Sequence, residues 1–297
     1  MYYLLYIFCY LISLLPLRIL YLISDGLYLL LYHVAGYRKK VVLDNLSHAL
    51  PEKTAVERAQ IARKYYRHLA DMMVETLKLL SANEKFLKKH FNCDLNILHE
   101  LLRNGKSCQL HLGHRFNWEW ANLYFRLGIT QPFLVTYMPL SNKAADRLFM
   151  RLRARFGSIM IPANDVQQAM QPWQDKNYVS VLVADQNPGK ARRSYWAPFL
   201  HRMTAFYKGP ELSARRYDIP VVFGDIVKVK RGHYKAFIRL AFEHPQQTTE
   251  GEVTRAFAAF LEECILQQPE TWTWSHRRWK HQWKGAPGSQ LQGTNVS

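Results

Sequence analysis

Acidic residues are scarce in this chain, cysteines scarcer, and the first seventeen residues carry no charge at all. The 297 residues include 23 Asp or Glu against 40 Lys or Arg, for a formal net charge of +17 and a pI near 9.7. An excess of that size favours an anionic partner, whether nucleic acid, anionic lipid or an acidic carrier protein. The plainer alternative is a solvated surface with a basic tilt. The four cysteines, Cys9, Cys93, Cys108 and Cys264, lie far apart and include no C-x-x-C pair. That spacing argues against a zinc knuckle or a disulfide framework and fits a reducing compartment.

The N-terminus also lacks the marks of a cleaved secretory signal. No Lys or Arg precedes its apolar run, and no A-x-A-like site follows it. It is read instead as a retained anchor. "MYYLLYIFCYLISLLPL", continued through Arg18 to Ile23, reaches the ~20 residues a spanning helix needs if Arg18 snorkels to the headgroups. A second apolar run, 19–35, is interrupted at Asp25-Gly26 and suits a second span, an interfacial or re-entrant helix, or a core helix. "YRKK" follows at 37–40; Lys and Arg collect on the cytoplasmic side, which places the remainder of the chain there. The tyrosines at 2, 3, 6, 10, 21, 28 and 32 suit headgroup depth.

No internal repeat and no interior linker rich in Gly, Ser or Pro divides the rest. With 48% hydrophobic residues a sizeable core is available. The expected organisation is membrane anchor or interfacial helices over 1–36, one domain over 37–284 and a disordered tail over 285–297. Residues 38–80 are predicted helical, with a fresh start at Pro51. Ile61, Tyr65, Leu69, Met72, Met73, Leu77 and Leu80 fall near helical spacing. Glu75 lies in that series and is read as a solvated edge, with a polar partner or headgroup contact as the alternative. Strands are expected at 108–112, 132–138, 178–185, 219–230 and 234–242, the last two as a hairpin. Helices are expected at 117–127, 142–156, 164–174, 205–217 and 252–268. Alternation of this kind predicts an α/β fold: a mixed, mostly parallel sheet flanked by helices.

"HLGHRFNWEW" (111–120) holds the most suggestive chemistry. The strand before it delivers His114 to the sheet rim, and a helix starting near Asn117 puts Glu119 in its first turn. A carboxylate on one imidazole nitrogen would fix the tautomer and leave the other nitrogen to take a proton from a hydroxyl. A metal site would need His111, His114 and Glu119 to converge, but His111 and His114 fall on opposite faces of a strand. A hydrogen-bonded core histidine with a helix-capping glutamate explains the spacing equally well.

"GHRFNWE" resembles the His-x4-acid motif of the lipid A biosynthesis (late) acyltransferases, a branch of the lysophospholipid acyltransferases. Four further blocks resemble the same family in order: "VVLDNLSHALPEKTAVER" (41–58), "YMPLSNKAADRLFMRLRARFGSIMIP" (137–162), "LVADQNPGKARRSYWAPFL" (182–200) and "QQPETWTWSHRRWK" (267–280). The resemblance spans roughly 38–280. It implies a glycerolipid acyltransferase-like fold and an enzyme on the cytoplasmic face of a bacterial inner membrane. The implied donor is an acyl-carrier protein or coenzyme A thioester, with no other cofactor and no metal. The acceptor is a lipid hydroxyl, with His114 as general base and Glu119 as its orienting partner. It also points to Arg153 and Arg155 as substrate-binding residues; the arginines could otherwise form a solvated basic face. Asp185 closes the strand 178–185 at the carboxyl edge where α/β sheets tend to place their sites, and is expected to position substrate or to support the residues that touch it. Gln186 and Asn187 are weaker candidates. The chain departs from the family pattern in carrying Met138 between Tyr137 and Pro139, Ala163-Asn164 after the Ile-Pro pair, and Phe116-Asn117-Trp118 for Gly-Asn-Trp. Similar proteins usually carry an arginine in place of Met138 and another a few positions after the Ile-Pro pair; without these two, a less anionic acceptor, such as an aminolipid or another lysolipid, is an alternative to a lipid A precursor.

The C-terminal "WTWSHRRWKHQWK" suits a membrane surface or a core edge. It could also stack on single-stranded nucleic acid, but that leaves the apolar N-terminus unexplained, so no nucleic-acid partner is expected. The competing function is a non-catalytic, basic membrane-binding protein on the same scaffold.

Overall fold

The structure is a computed structural model that describes residues 2–189, 191, 194–283 and 285. Apart from residue 285, the tail expected to be disordered lies outside the described residues.

Helix α1 (Tyr2–Leu14) stops short of Pro16, and α2 (Leu17–Leu29) starts after it. Proline has no N–H to donate and its ring blocks the preceding turn, so one helix cannot run through it. The single span expected over 1–23 is therefore broken. The apolar helix long enough to cross a bilayer is Leu17–Val34, where α2 continues through a π-helical turn, at 18 residues and mean hydropathy 1.3. One face of α2 is bonded to the body of the protein: Ser24 donates to Asp71 at 2.7 Å and Tyr21 to Glu75 at 2.8 Å. The outer face leaves Ile19, Leu22, Ile23, Leu29, Leu30 and Val34 exposed.

Helices α3 (Lys39–Ala49) and α4 (Ala55–Lys78) follow. A capping box closes the start of α4: Thr54 Oγ1 accepts from the Glu57 amide, and the Glu57 carboxylate accepts from the Thr54 amide. Glu75 corrects the expectation of a solvated edge. It is fully buried, and its carboxylate accepts from Tyr21, Asn117 (3.0 Å) and Tyr234 (2.6 Å). Three donors replace the water that burial removes.

Next come α5 (Glu84–His90), β1 (Phe91–Asn92), α6 (Asn96–Arg103), β2 (Cys108–Leu112), α7 (Trp118–Gly128), β3 (Phe133–Tyr137), α8 (Lys143–Arg153) and β4 (Ile159–Pro162). The remainder is α9 (Val166–Met170), β5 (Val179–Val183), β6 (Ser194–Phe199), β7 (Arg202–Tyr207), α10 (Gly209–Arg216), β8 (Val221–Lys230), β9 (His233–Phe242) and α11 (Glu252–Gln267). Seven strands form one sheet in the order β1-β9-β8-β2-β5-β3-β4. Its pairings are parallel except for the β8–β9 hairpin. The expected mostly parallel sheet with flanking helices is therefore present. Strand β2 sits between β5 and β8 and is buried along its whole length, as a strand at the centre of a sheet covered on both faces should be; its polar Gln109 and His111 are buried with it and bonded to each other.

One segment differs in kind. The expected helix 205–217 is helical only over Gly209–Arg216; residues 205–207 complete β7, which pairs antiparallel with β6 in a separate two-stranded sheet. Phe199, Ala205 and Phe206 bury one side of this hairpin against the α11 side of the core, so tertiary packing overrides local helical spacing.

Candidate active site

The site forms at the carboxyl end of β2, where open α/β sheets place their ligands. Gly113 turns the chain: a Cβ there would press on the buried Leu261 side chain and come within 3.4 Å of Asp185 Oδ2. The backbone N–H of His114 donates to that same oxygen at 2.9 Å, and Thr273 Oγ1 donates to the His114 carbonyl at 2.8 Å. The loop is thus pinned on both sides.

His114 Nδ1 lies 2.5 Å from Asp185 Oδ1. Asp185 is 1% exposed and closes the run after β5. Its other oxygen also accepts from Trp272 Nε1 at 2.7 Å. Burial pushes this carboxyl up, but the His114 charge and the hydrogen bonds from His114 and Trp272 outweigh burial and bring it down to about 2. An ionised carboxylate has no proton to give, so Nδ1 must be the donor. In the neutral ring that fixes the tautomer and puts the lone pair on Nε2, which has no hydrogen-bond partner among the described residues. The ring stands edge-on to Trp118, with centroids 5.2 Å apart.

Glu119 does occupy the first turn of α7, whose N-cap is Asn117. Its carboxylate, however, is held elsewhere. Arg153 donates through Nε at 2.9 and 3.1 Å and through Nη2 at 2.5 Å, and Trp118 Nε1 donates at 3.1 Å. Among the described residues no hydrogen bond joins Glu119 to His114, so the imidazole's orienting carboxylate is Asp185. Trp118 links the two halves, packing on His114 and bonding to Glu119. Burial acts to lower the Arg153 guanidinium, but Glu119 reverses this and holds it above its ordinary value.

Arg155 is not brought to His114. Its Nη1 donates to the carbonyl of Leu79 just past α4, and its guanidinium sits 5.3 Å from the Phe156 ring. Arg151 stacks on Tyr6 of α1 at 4.4 Å. The basic residues of the second block thus divide between an ion pair, a backbone contact and the N-terminal helix, rather than forming one solvated face. His111 points into the core beside Phe223 and Phe257, and burial pulls its imidazole down to about 3. It shares no site with His114.

Sequence reasoning did not find Trp272 or Thr273; the signal was the tryptophan-rich C-terminal block, read only as a membrane or core edge. The same block supplies Arg278, 1% exposed, which stacks 4.5 Å from Phe206 and donates to Asn187 Oδ1 at 3.2 Å. Burial pulls its guanidinium down to about 10, opposed by Asp185. The Asn187 backbone N–H also donates to His276 Nε2 at 3.2 Å, tying this candidate to the C-terminal block.

Comparison with known proteins supplies the family. The profile of the bacterial lipid A biosynthesis acyltransferases matches residues 1–281, nearly the whole chain. The chain belongs to that family. The acyltransferase is 24% identical over 246 residues to the lipid A biosynthesis palmitoleoyltransferase of Escherichia coli (strain K12), covering 82% of this chain and 79% of that protein. A lipid A biosynthesis acyltransferase of Shigella flexneri matches to the same extent. Low identity over so long a span leaves the reaction class in common and the side chains around the site free to differ. In this acyltransferase the histidine of the motif is oriented from β5 and steadied by the C-terminal block.

Proposed function

We propose that the enzyme moves a fatty acyl group from an acyl-carrier protein or coenzyme A thioester to a hydroxyl of a lipid A precursor, with His114 as general base. The observation that carries this reading is the Nδ1–Asp185 bond, which leaves Nε2 as the available base at the sheet edge. Nε2 takes the acceptor proton as the hydroxyl oxygen bonds to the thioester carbonyl carbon. The carbonyl pair moves onto oxygen, giving a tetrahedral oxyanion. When the pair returns, the carbon–sulfur bond breaks, the thiolate leaves, and the proton on Nε2 passes to sulfur. Asp185 stabilises the imidazolium between these steps without accepting its proton.

Glu119 supports the site through Arg153. Clamped at Nε and Nη2, Arg153 makes no hydrogen bond through Nη1 among the described residues, which leaves that donor for the acceptor or the oxyanion. Arg155 and Asp185 would then influence the substrate only through the elements they hold. The exposed apolar faces of α1 and α2 support a location in the headgroup and outer acyl region of a membrane. Bonding of the inner face of α2 to Asp71 and Glu75 favours a helix lying in the interface. A thioester donor drawn from the cytoplasm would favour an active site on the cytoplasmic side of the inner membrane.

The test uses the purified full-length enzyme, acyl-carrier protein or coenzyme A thioesters, and an underacylated lipid A precursor, with product read by mass spectrometry. Transfer that is lost in His114→Ala supports the reading. Near wild-type transfer by that variant sinks the mechanism, and no transfer by wild type would favour a non-catalytic membrane-binding role. Because Met138 stands where the family pattern has an arginine, and Ala163-Asn164 follow the Ile-Pro pair where another is common, an aminolipid and a lysophospholipid serve as comparison acceptors. Preferential acylation of either would move the acceptor assignment away from lipid A.

A further inference from the structure

A groove of about 710 Å³ opens between α2, α4 and the tip of the β8–β9 hairpin. Among the described residues no hydrogen bond, ion pair or ring contact joins its lining residues to His114, Asp185, Glu119 or Arg153. Both sites nonetheless lie toward the carboxyl edge of the sheet: Gly224 of β8 pairs with Leu112 of β2, and β8 runs on from there to Lys230.

The charges in the groove are of two kinds. Asp71 accepts from Lys228 Nζ at 2.9 Å and from Arg231 Nη2 at 2.7 Å, and Asp25 accepts from Arg231 Nη2 at 2.6 Å. These pairs satisfy one another and stitch α2 to the hairpin. Arg67 and Lys230 are different. Both are exposed, and neither makes an ion pair among the described residues. Arg67 is held with its guanidinium 5.0 Å from the Tyr28 ring centroid, which presents a planar fork of donors in a fixed place. Glu270, likewise without an ion pair among the described residues, also lines the groove. Two uncommitted cations against one carboxylate suit a monoanion better than a dianion.

The groove's other wall is apolar. Leu29 and Tyr28 line it, and Leu29 continues the exposed row of Leu22, Leu30 and Val34. A ligand seated there meets cations at one end and a lipid-like surface at the other.

We infer that this groove binds the phosphodiester headgroup of an anionic bilayer phospholipid. Arg67 and Lys230 take the phosphate oxygens, and the acyl chains lie along the outer face of α2. The bound lipid would hold the carboxyl edge of the sheet, and His114 with it, at a fixed depth against an anionic membrane. The site is independent of the acyl-transfer centre.

The experiment titrates detergent-solubilised full-length protein with short-chain phosphatidylglycerol, short-chain diacylglycerol and inorganic phosphate, by calorimetry. Saturable binding of phosphatidylglycerol is expected, weakened about 10- to 30-fold in R67A/K230A at roughly 1 kcal/mol per cation. The charge-restoring pair R67K/K230R should recover most of it, and His114→Ala should bind as wild type does. Equal affinity in R67A/K230A, or no binding by wild type, would overturn the site. Diacylglycerol binding as tightly as phosphatidylglycerol would remove phosphate recognition, and inorganic phosphate doing so would remove the lipid. Loss of binding in His114→Ala would place the phospholipid at the catalytic centre instead. Failure of acyl transfer in its own assay alters none of these outcomes.

Discussion

His114 Nδ1 and Asp185 Oδ1 stand 2.5 Å apart across 71 residues of sequence, the imidazole at the end of β2 and the carboxylate just past the end of β5. Neighbouring parallel strands end at the same edge, so two loops distant in sequence meet there. The acid of the His-x4-acid motif, five residues from the histidine, is turned instead toward α8.

Asp185→Asn should abolish most activity while leaving the fold intact. The asparagine NH2 can donate to Nδ1, which moves the imidazole proton to Nε2 and removes the base. A fall in kcat of about 10³- to 10⁴-fold is expected on the precedent of tautomer reversal in an aspartate-supported histidine. A kcat within about threefold of wild type would show that Asp185 does not set the tautomer.

The same carboxyl predicts an acid-side loss of stability. Its folded value, about 2, lies below the ordinary aspartate value. Its contribution is therefore complete above the ordinary value and is lost as pH falls toward 2. The difference in Tm between wild type and Asp185→Asn should be largest near about pH 5 and shrink below about pH 4, the ordinary aspartate range. A difference that grows on acidification would contradict this.

Glu119 and Arg153 should behave as a coupled pair. Their side chains are 4% and 22% exposed, so removing either strands a largely buried charge, at about 3–5 kcal/mol. Chemical denaturation of Glu119→Ala, Arg153→Ala and the double variant should give markedly non-additive losses. Additive losses would mean the two do not support each other.

Trp272→Phe keeps the ring and deletes one donor to Asp185. The carboxyl should rise toward its ordinary value and His114 should lose part of its orientation. A loss of about tenfold in kcat with little change in KM is expected, in keeping with a charge-assisted hydrogen bond of about 1.5 kcal/mol. An effect confined to KM would instead assign the indole to substrate binding.

Glu75 predicts the opposite pH trend. Burial raises its carboxyl, opposed by Lys228 and by the hydrogen bonds from Tyr234 and Asn117. Stability linked to a raised carboxyl is complete below the ordinary glutamate value and declines as pH rises through the folded value. Glu75→Gln should flatten that decline in thermal melts from about pH 4 upward, starting from the ordinary value. An unchanged slope would show that Glu75 is ionised throughout.

Much of the fold was legible because its signals are local. Short apolar runs such as "CQLHL" separated by amphipathic stretches announce buried parallel strands and their crossover helices, and Pro51 and Thr54 mark where α4 begins. The hairpin β6–β7 was not legible, since residues 205–207 have helical spacing and only contact with the core selects the strand. Pro16 was in plain view and divides the apolar stretch into α1 and α2, but the bonding of α2 to Asp71 and Glu75 was not legible.

Sequence alone pointed to the reaction class, which the family match bears out, and to the histidine proposed as the base. Both rest on residue types at fixed short spacings, which a motif preserves. The partner of that histidine was decided by tertiary structure. Asp185, Trp272 and Thr273 reach His114 from β5 and from the C-terminal block, and no spacing along the chain encodes that meeting. Glu119 lies near in sequence, but the orientation of α7 toward α8 gives its carboxylate to Arg153. A hydrogen bond is set by separation and direction in space, and those are properties of the packed sheet and helices rather than of the interval between two letters.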